Sequence, residues 1–302
     1  MLHRFARQTK RWYNRGRAFY KAKQRKRGKH MQYQILDVTT GKAPVPAKLY
    51  TYFLDNSPEI DPKRTRPAIV LCPGGGYRFT SDREAEAVAM QFLAAGIHVA
   101  ILRYTVAPQG EYPQALREVA WSVAHIREHA AQYHVDPDRI LVMGFSAGGH
   151  LAASYGMFWK NHTFLAEELG VPSSQLRPNG MILGYPVITS GEKAHRDSFV
   201  ALLGDRYNAL VEEMSLEHQV SEDTPPTFLW HTETDELVPV ENSMYLFEAL
   251  HTHHIPVEMH IYPTGEHGLS LANEETIRSD GTGIVPACQS WIGLAAAWVK
   301  RL

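Results

Sequence analysis

The chain has 302 residues, 44% of them hydrophobic, with 22 Gly, 18 Pro and a formal net charge of −1, a composition that excludes collagen-like, coiled-coil and wholly disordered chains. The longest apolar run, Ile292 to Val299, is far short of the roughly 20 residues that a membrane-spanning helix requires. Two cysteines, Cys72 and Cys288, are too few for a disulfide scaffold and lack the paired spacing of a zinc site, which suits a reducing, cytoplasmic compartment.

Residues 1–30 hold twelve Lys/Arg and no Asp or Glu, leaving 19 basic against 32 acidic residues over 31–302. Phe5, Trp12 and Phe19 at seven-residue spacing would suit an amphipathic helix on anionic lipid or a segment tracking nucleic-acid phosphates. Like charges at this density repel rather than pack, so the simpler expectation is a disordered leader ahead of a true start at Met31. The body, 31–302, is expected to form one catalytic domain that requires neither nucleic acid nor a membrane, with a homo-oligomer left open.

Polar and apolar residues alternate over Gln32–Val38 and Lys48–Leu54, as in half-buried strands of an antiparallel edge. Apolar runs of strand length then alternate with helix-period segments. The strand Ala68–Cys72 precedes a helix from about Arg83 to Ala95, closed by Gly96, and the strand Ile97–Leu102 precedes a helix through Leu116, Val119, Val123 and Ile126. Strand Ile140–Met143 leads to a helix after Ser146, then to strands Gly180–Tyr185 and Thr227–His231. A helix near Val240–Leu250, a strand Val257–Tyr262 and a final helix near Val285–Arg301 complete the order. This pattern predicts an α/β fold whose mostly parallel sheet is covered on both faces, with ligands at the carboxyl ends of the strands. Residues 188–225 break the alternation and could form a small cap.

Gly144-Phe145-Ser146-Ala147-Gly148 is a GxSxG between an apolar strand and a helix. A sharp strand-to-helix turn would push the Ser146 hydroxyl outward, small flanking residues would relieve crowding, and the helix start would aim free N–H groups at developing negative charge. Three consecutive glycines, Gly74, Gly75 and Gly76, follow the first parallel strand. They let the backbone approach a ligand closely, and their N–H groups with that of Ala147 could receive an oxyanion. A phosphate loop would need a Gly-Lys-Ser/Thr ending, which is absent.

Serine needs a base, itself oriented by a carboxylate. The loops after the last two strands supply Asp235 and His267, in the chain order Ser, acid, His. Glu233 and Glu236 are rivals of Asp235, which is preferred for its place before Leu237-Val238-Pro239 and the next helix. Among sixteen histidines, His260 lies inside a strand and His251, His253 and His254 near a helix end, whereas His267 is followed by glycine in a loop. No HExxH arrangement is present, so neither metal nor cofactor is expected.

On these motifs residues 67–300 resemble an α/β-hydrolase of the esterase/lipase type, and more narrowly the small bacterial carboxylesterases and acetyl (xylan) esterases that carry PGGGY and GFSAGGH. The matching residues are Pro73–Tyr77, Arg103-Tyr104, Gly144–His150, Gly184-Tyr185-Pro186, His231–Pro239 and Glu266-His267-Gly268. The resemblance implies hydrolysis of short-chain acyl esters, commonly acetyl groups on sugars or small alcohols. Ser146 would be the nucleophile, His267 the base, Asp235 its orienting acid, and Gly75, Gly76 and Ala147 the oxyanion donors. Tyr77 and Tyr185 are expected to contact substrate, with Phe199, Leu202 and Leu203 setting the acyl pocket. Pro73 stands where hormone-sensitive-lipase-like relatives have His, which leaves the choice among Gly75, Gly76 and Tyr77 as donors open. The same triad would serve an arylformamidase, a lactonase or a peptidase, and a non-catalytic binding module on this fold is the reading from another class.

Overall fold

Alternating covered and exposed side chains along β1 (Met31–Val38) make it an edge strand, paired antiparallel with β2 (Ala47–Leu54) so that Met31 faces Leu54. The computed structural model describes residues 31–41 and 45–302; the basic leader expected over 1–30 lies outside the described residues. The chain continues through β3 (Arg66–Cys72), α1 (Glu86–Ala94), β4 (His98–Arg103), α2 (Gln114–Glu128), the single turn α3 (Ala130–Tyr133) and β5 (Val135–Phe145). After these come α4 (Ser146–Phe158), α5 (Phe164–Leu169), β6 (Met181–Gly184), α6 (Arg196–Leu203), α7 (Tyr207–Leu210), β7 (Thr227–Thr232), α8 (Glu241–Thr252), β8 (Val257–Tyr262) and α9 (Trp291–Arg301).

The strands form one sheet in the order β1-β2-β4-β3-β5-β6-β7-β8. β2 meets β4 antiparallel, and every pairing from β4 to β8 is parallel. Strand residues alternate between two buried clusters. Val70 and Val142 face the side covered by α2, α4 and α8, whereas Ile69, Leu71 and Met143 face the side covered by α1 and α9. Burial on both faces explains why β3, β6 and β7 read as continuous apolar runs. The predicted α/β class therefore holds, as an α/β-hydrolase fold. Among the described residues, no helix is long and apolar enough to cross a membrane.

Two helix starts differ from the sequence reading. Asp82–Glu84 forms a separate 3₁₀ turn, because Ala85 leaves the helical region (φ −119°, ψ −103°) and α1 starts only at Glu86. Pro286 likewise opens a 3₁₀ stretch to Ser290, and α9 proper starts at Trp291. The interruption over 188–225 contains α6 and α7 and is pinned from α8. Asn242 Oδ1 accepts from the N–H groups of Ile188 and Thr189, and its Nδ2 donates to the Lys193 carbonyl.

The carboxyl edge of the sheet gathers the loops of interest. β3 runs into the glycine loop, β5 into Ser146, β7 into Asp235 and β8 into His267, the edge at which parallel sheets bind ligands.

Candidate active site

Ser146 is the first residue of α4 and takes φ +53°, left-handed backbone that a side chain other than glycine's rarely adopts without a surrounding scaffold. That scaffold needs its glycines. A Cβ on Gly144 would lie 2.0 Å from the Gly148 carbonyl oxygen, and one on Gly148 would lie 2.2 Å from the Cys72 oxygen and 2.3 Å from that of Pro73. The start of α4 thus lies directly against the chain leaving β3, bringing the glycine loop beside the serine; a Cβ on Gly74 would come 3.0 Å from Ser146 Cβ.

The structure brings Ser146, His267 and Asp235 together although they are far apart in sequence. His267 Nε2 lies 2.8 Å from Ser146 Oγ, and His267 Nδ1 lies 2.7 Å from Asp235 Oδ2. Asp235 Oδ1 accepts from the N–H groups of Leu237 (3.0 Å) and Val238 (2.9 Å). Its Oδ2 has a second imidazole neighbour, His231 Nε2, at 3.3 Å. Because that nitrogen also contacts the Val238 carbonyl at 2.9 Å, it must carry the proton and donate, while Nδ1 faces Ser243 Oγ at 2.8 Å. Burial alone would raise the Asp235 pKa, but hydrogen bonds from His231, His267 and Val238 outweigh it and hold the carboxyl well below the usual range. Glu233 and Glu236, its rivals in sequence, are exposed. An ionised, fully hydrogen-bonded carboxylate behind an imidazole within reach of a hydroxyl can fix the ring's tautomer and draw the hydroxyl proton away.

Facing Ser146, Gly75 (φ +134°) and Gly76 (φ +61°) hold left-handed backbone. The Gly74 N–H is taken up by Glu84 Oε2 at 2.7 Å. Among the described residues the N–H groups of Gly75, Gly76 and Ala147 form no hydrogen bond, which leaves them free for a bound oxygen.

Tyr77 and Tyr185 require a correction, since both are 2% exposed and neither lines the cavity onto which Ser146 and His267 open. Tyr77 turns inward, its hydroxyl 2.9 Å from His150 Nδ1, and so anchors the glycine loop to α4. The Tyr185 hydroxyl donates to Glu84 Oε1 (2.7 Å) and accepts from the Ser270 N–H (2.9 Å), with its ring edge-on to His267 at 5.1 Å. Phe199, Leu202 and Leu203 are likewise buried in the core and form no part of the cavity wall. Sequence patterning marks a tyrosine beside a motif but cannot tell which way it points.

Ser146 and His267 open onto a cavity of about 620 Å³ whose wall includes Arg78, Phe79, His195, Asp197, Glu236 and Glu266. Arg83 and Arg278 tie down the loop that carries His267. Arg83 donates to the carbonyls of Gly268 (2.8 Å) and Thr276 (2.7 Å), and Arg278 donates to the His267 carbonyl and pairs with Glu266. Sequence reasoning missed Glu84, His231 and His195. Only His231, four residues before Asp235 at the end of a predicted strand, left a readable signal. No group of three or more His, Cys, Asp or Glu among the described residues is arranged to hold a metal.

Fold and site together define an esterase-type α/β-hydrolase. The chain matches the BD-FAE family over residues 57–250 and belongs to it. It is 39% identical over 216 residues to endo-1,4-beta-xylanase B of Butyrivibrio fibrisolvens, covering 70% of this chain and 33% of that one. To the acetylxylan esterase of Xylanibacter ruminicola it is 31% identical, covering 68% and 41%. The chain thus spans between a third and about two fifths of the length of these two relatives. The solved acetyl ester-xyloside bifunctional hydrolase of Caldicellulosiruptor lactoaceticus superposes with a TM-score of 0.75 at 34% identity, covering 91% of this chain and 98% of that one.

Proposed function

We propose that the protein is a serine carboxylesterase that removes short acyl groups, acetyl foremost, from sugars or small alcohols. The observation that carries this reading is the unbroken contact from Asp235 through His267 to Ser146 Oγ, with 2.7 and 2.8 Å steps, opening onto a cavity whose wall mixes Phe79 and Leu237 with Arg78, Asp197, Glu236 and Glu266. The charged groups on that wall offer hydrogen-bonding partners to a hydroxylated alcohol. Two relatives, an acetylxylan esterase and an acetyl ester-xyloside bifunctional hydrolase, point the same way.

Ser146 Oγ attacks the ester carbonyl as His267 Nε2 takes its proton. The oxyanion rests on the N–H groups of Ala147, Gly75 and Gly76, each such donor contributing about 3 kcal/mol to the transition state. The alcohol leaves with the proton from His267, and water then repeats the sequence on the acyl-enzyme. Residues 188–225 act as a small cap, contributing His195 and Asp197 to the cavity wall. The two cysteines, free and buried, suit a cytoplasmic location.

A panel of p-nitrophenyl esters of rising chain length and acetylated xylosides tests the reading beside Ser146→Ala. Acetate is expected to outrun butyrate and octanoate, and Ser146→Ala to lose on the order of 10⁶ in kcat. Full activity in Ser146→Ala, or octanoate as the best substrate, overturns it.

A further inference from the structure

His195 stands where the chain enters α6, and it lines the same cavity as Ser146 and His267. Its Nδ1 lies 2.8 Å from Ser198 Oγ. Ser198 is 1% exposed, and its Oγ lies 4.0 Å from where a Cβ on Gly76 would stand, so the pair is seated on the glycine loop. The ring is therefore held at one nitrogen. Nε2 has no hydrogen-bond partner among the described residues and, on a half-buried ring that lines the cavity, is open to a ligand. Burial first, and then the positive charge that His267 acquires, push the His195 pKa down against the opposing pull of Asp197 and Asp235.

The leaving oxygen must lie within hydrogen-bond reach of His267 Nε2, which returns the proton to it. His195 lines the same cavity as His267, so its open Nε2 stands on a wall that the leaving alcohol can reach. We propose that His195 is a specificity-determining residue: its free Nε2 hydrogen-bonds a hydroxyl on the carbon next to the esterified one, selecting monoesters of vicinal diols. This deepens the esterase reading and rests on it. A neutral imidazole suits the role, since one ring nitrogen can pair with a hydroxyl without placing a second charge beside His267. The exposed ring of Phe79 on the same cavity wall offers the alcohol's carbon skeleton an apolar surface.

A matched pair of probes isolates the contact: 2-hydroxycyclohexyl acetate and cyclohexyl acetate, which differ by one hydroxyl. The wild-type protein is expected to prefer the hydroxylated ester about tenfold in kcat/KM, the size of one neutral hydrogen bond. His195→Ala should bring that ratio to about one, and His195→Gln, which keeps a terminal donor and acceptor and preserves bulk if the alanine variant folds poorly, should restore part of it. A purely structural role would lower both rates and leave the ratio intact. A ratio unchanged in both variants, or a wild-type protein with no preference, overturns the proposal. A wild-type protein inactive on both esters overturns the esterase reading itself.

Discussion

Gly148→Ala tests whether the GxSxG backbone is set by close approach of main chains. The added Cβ meets two carbonyl oxygens at 2.2 and 2.3 Å, those of Cys72 and Pro73. Both obstacles are backbone, so no side-chain rotation relieves them, and the start of α4 must part from the end of β3 by roughly 1 Å. Overpacking of this kind costs about 3 kcal/mol, the upper end of its usual range. For a domain of this size that lowers Tm by about 6–12 °C. The same displacement shifts Ser146 relative to both His267 and the glycine loop, and misplacing a reacting group by about 1 Å costs on the order of 10²-fold in rate. Calorimetry with p-nitrophenyl acetate turnover reads both effects. Gly293→Ala is the matched control, because a Cβ there meets nothing within 4 Å in the first turn of α9, and alanine should stabilise that helix by up to about 0.5–1 kcal/mol. A Gly148→Ala protein with wild-type Tm and wild-type turnover would refute this account of the elbow.

Asp235→Asn should lower kcat on the order of 10⁴-fold, because an amide in place of the carboxylate no longer fixes the His267 tautomer, while far-ultraviolet circular dichroism stays unchanged; a loss under tenfold would show the carboxylate dispensable. Glu84→Gln should cost about 1–3 kcal/mol of stability, read by urea denaturation, and slow turnover, since the buried oxygens that accept from Gly74 and Tyr185 cannot both be kept; unchanged midpoint and rate would count against that role. Stability should fall on acidification in two stages, seen as Tm against pH. Burial pushes the His98 pKa down to about 3 and that of His150 to about 4. Below about 6.5 the unfolded chain therefore binds protons at these two sites that the folded chain refuses, and these two alone remove up to about 3 kcal/mol per pH unit between about 6.5 and 4. Asp235, depressed in the folded state, contributes stability above the unfolded carboxyl value of about 3.9 that is lost as pH falls further. A flat Tm from pH 7 to 4 would contradict the first stage.

Sequence periodicity located the strands because both-face burial imprints continuous apolar runs such as Ala68–Cys72 and Thr227–His231. It missed the 3₁₀ stretches at Asp82 and Pro286, where one residue's backbone geometry overrides a helical pattern. That Ser146, Asp235 and His267 would meet was legible because each sits just past a strand end, and strand ends are visible in hydropathy. Glu84 was not legible, as its meaning lies in two partners, Gly74 and Tyr185, brought to it by tertiary folding. The inward turn of Tyr77 onto His150 was hidden for the same reason.

Glu84 joins what an enzymologist would like to vary separately. One oxygen braces the loop that offers N–H donors, and the other braces the tyrosine behind the imidazole. Altering the electrostatics of one half therefore disturbs the orientation of the other, and paired substitutions across this brace should combine non-additively. Evolutionary latitude then lies at the rim, where the side chains of Phe79, Asp197 and Leu237 are exposed and engage in no hydrogen bond or ion pair among the described residues. A lineage can exchange side chains there without dismantling the brace beneath.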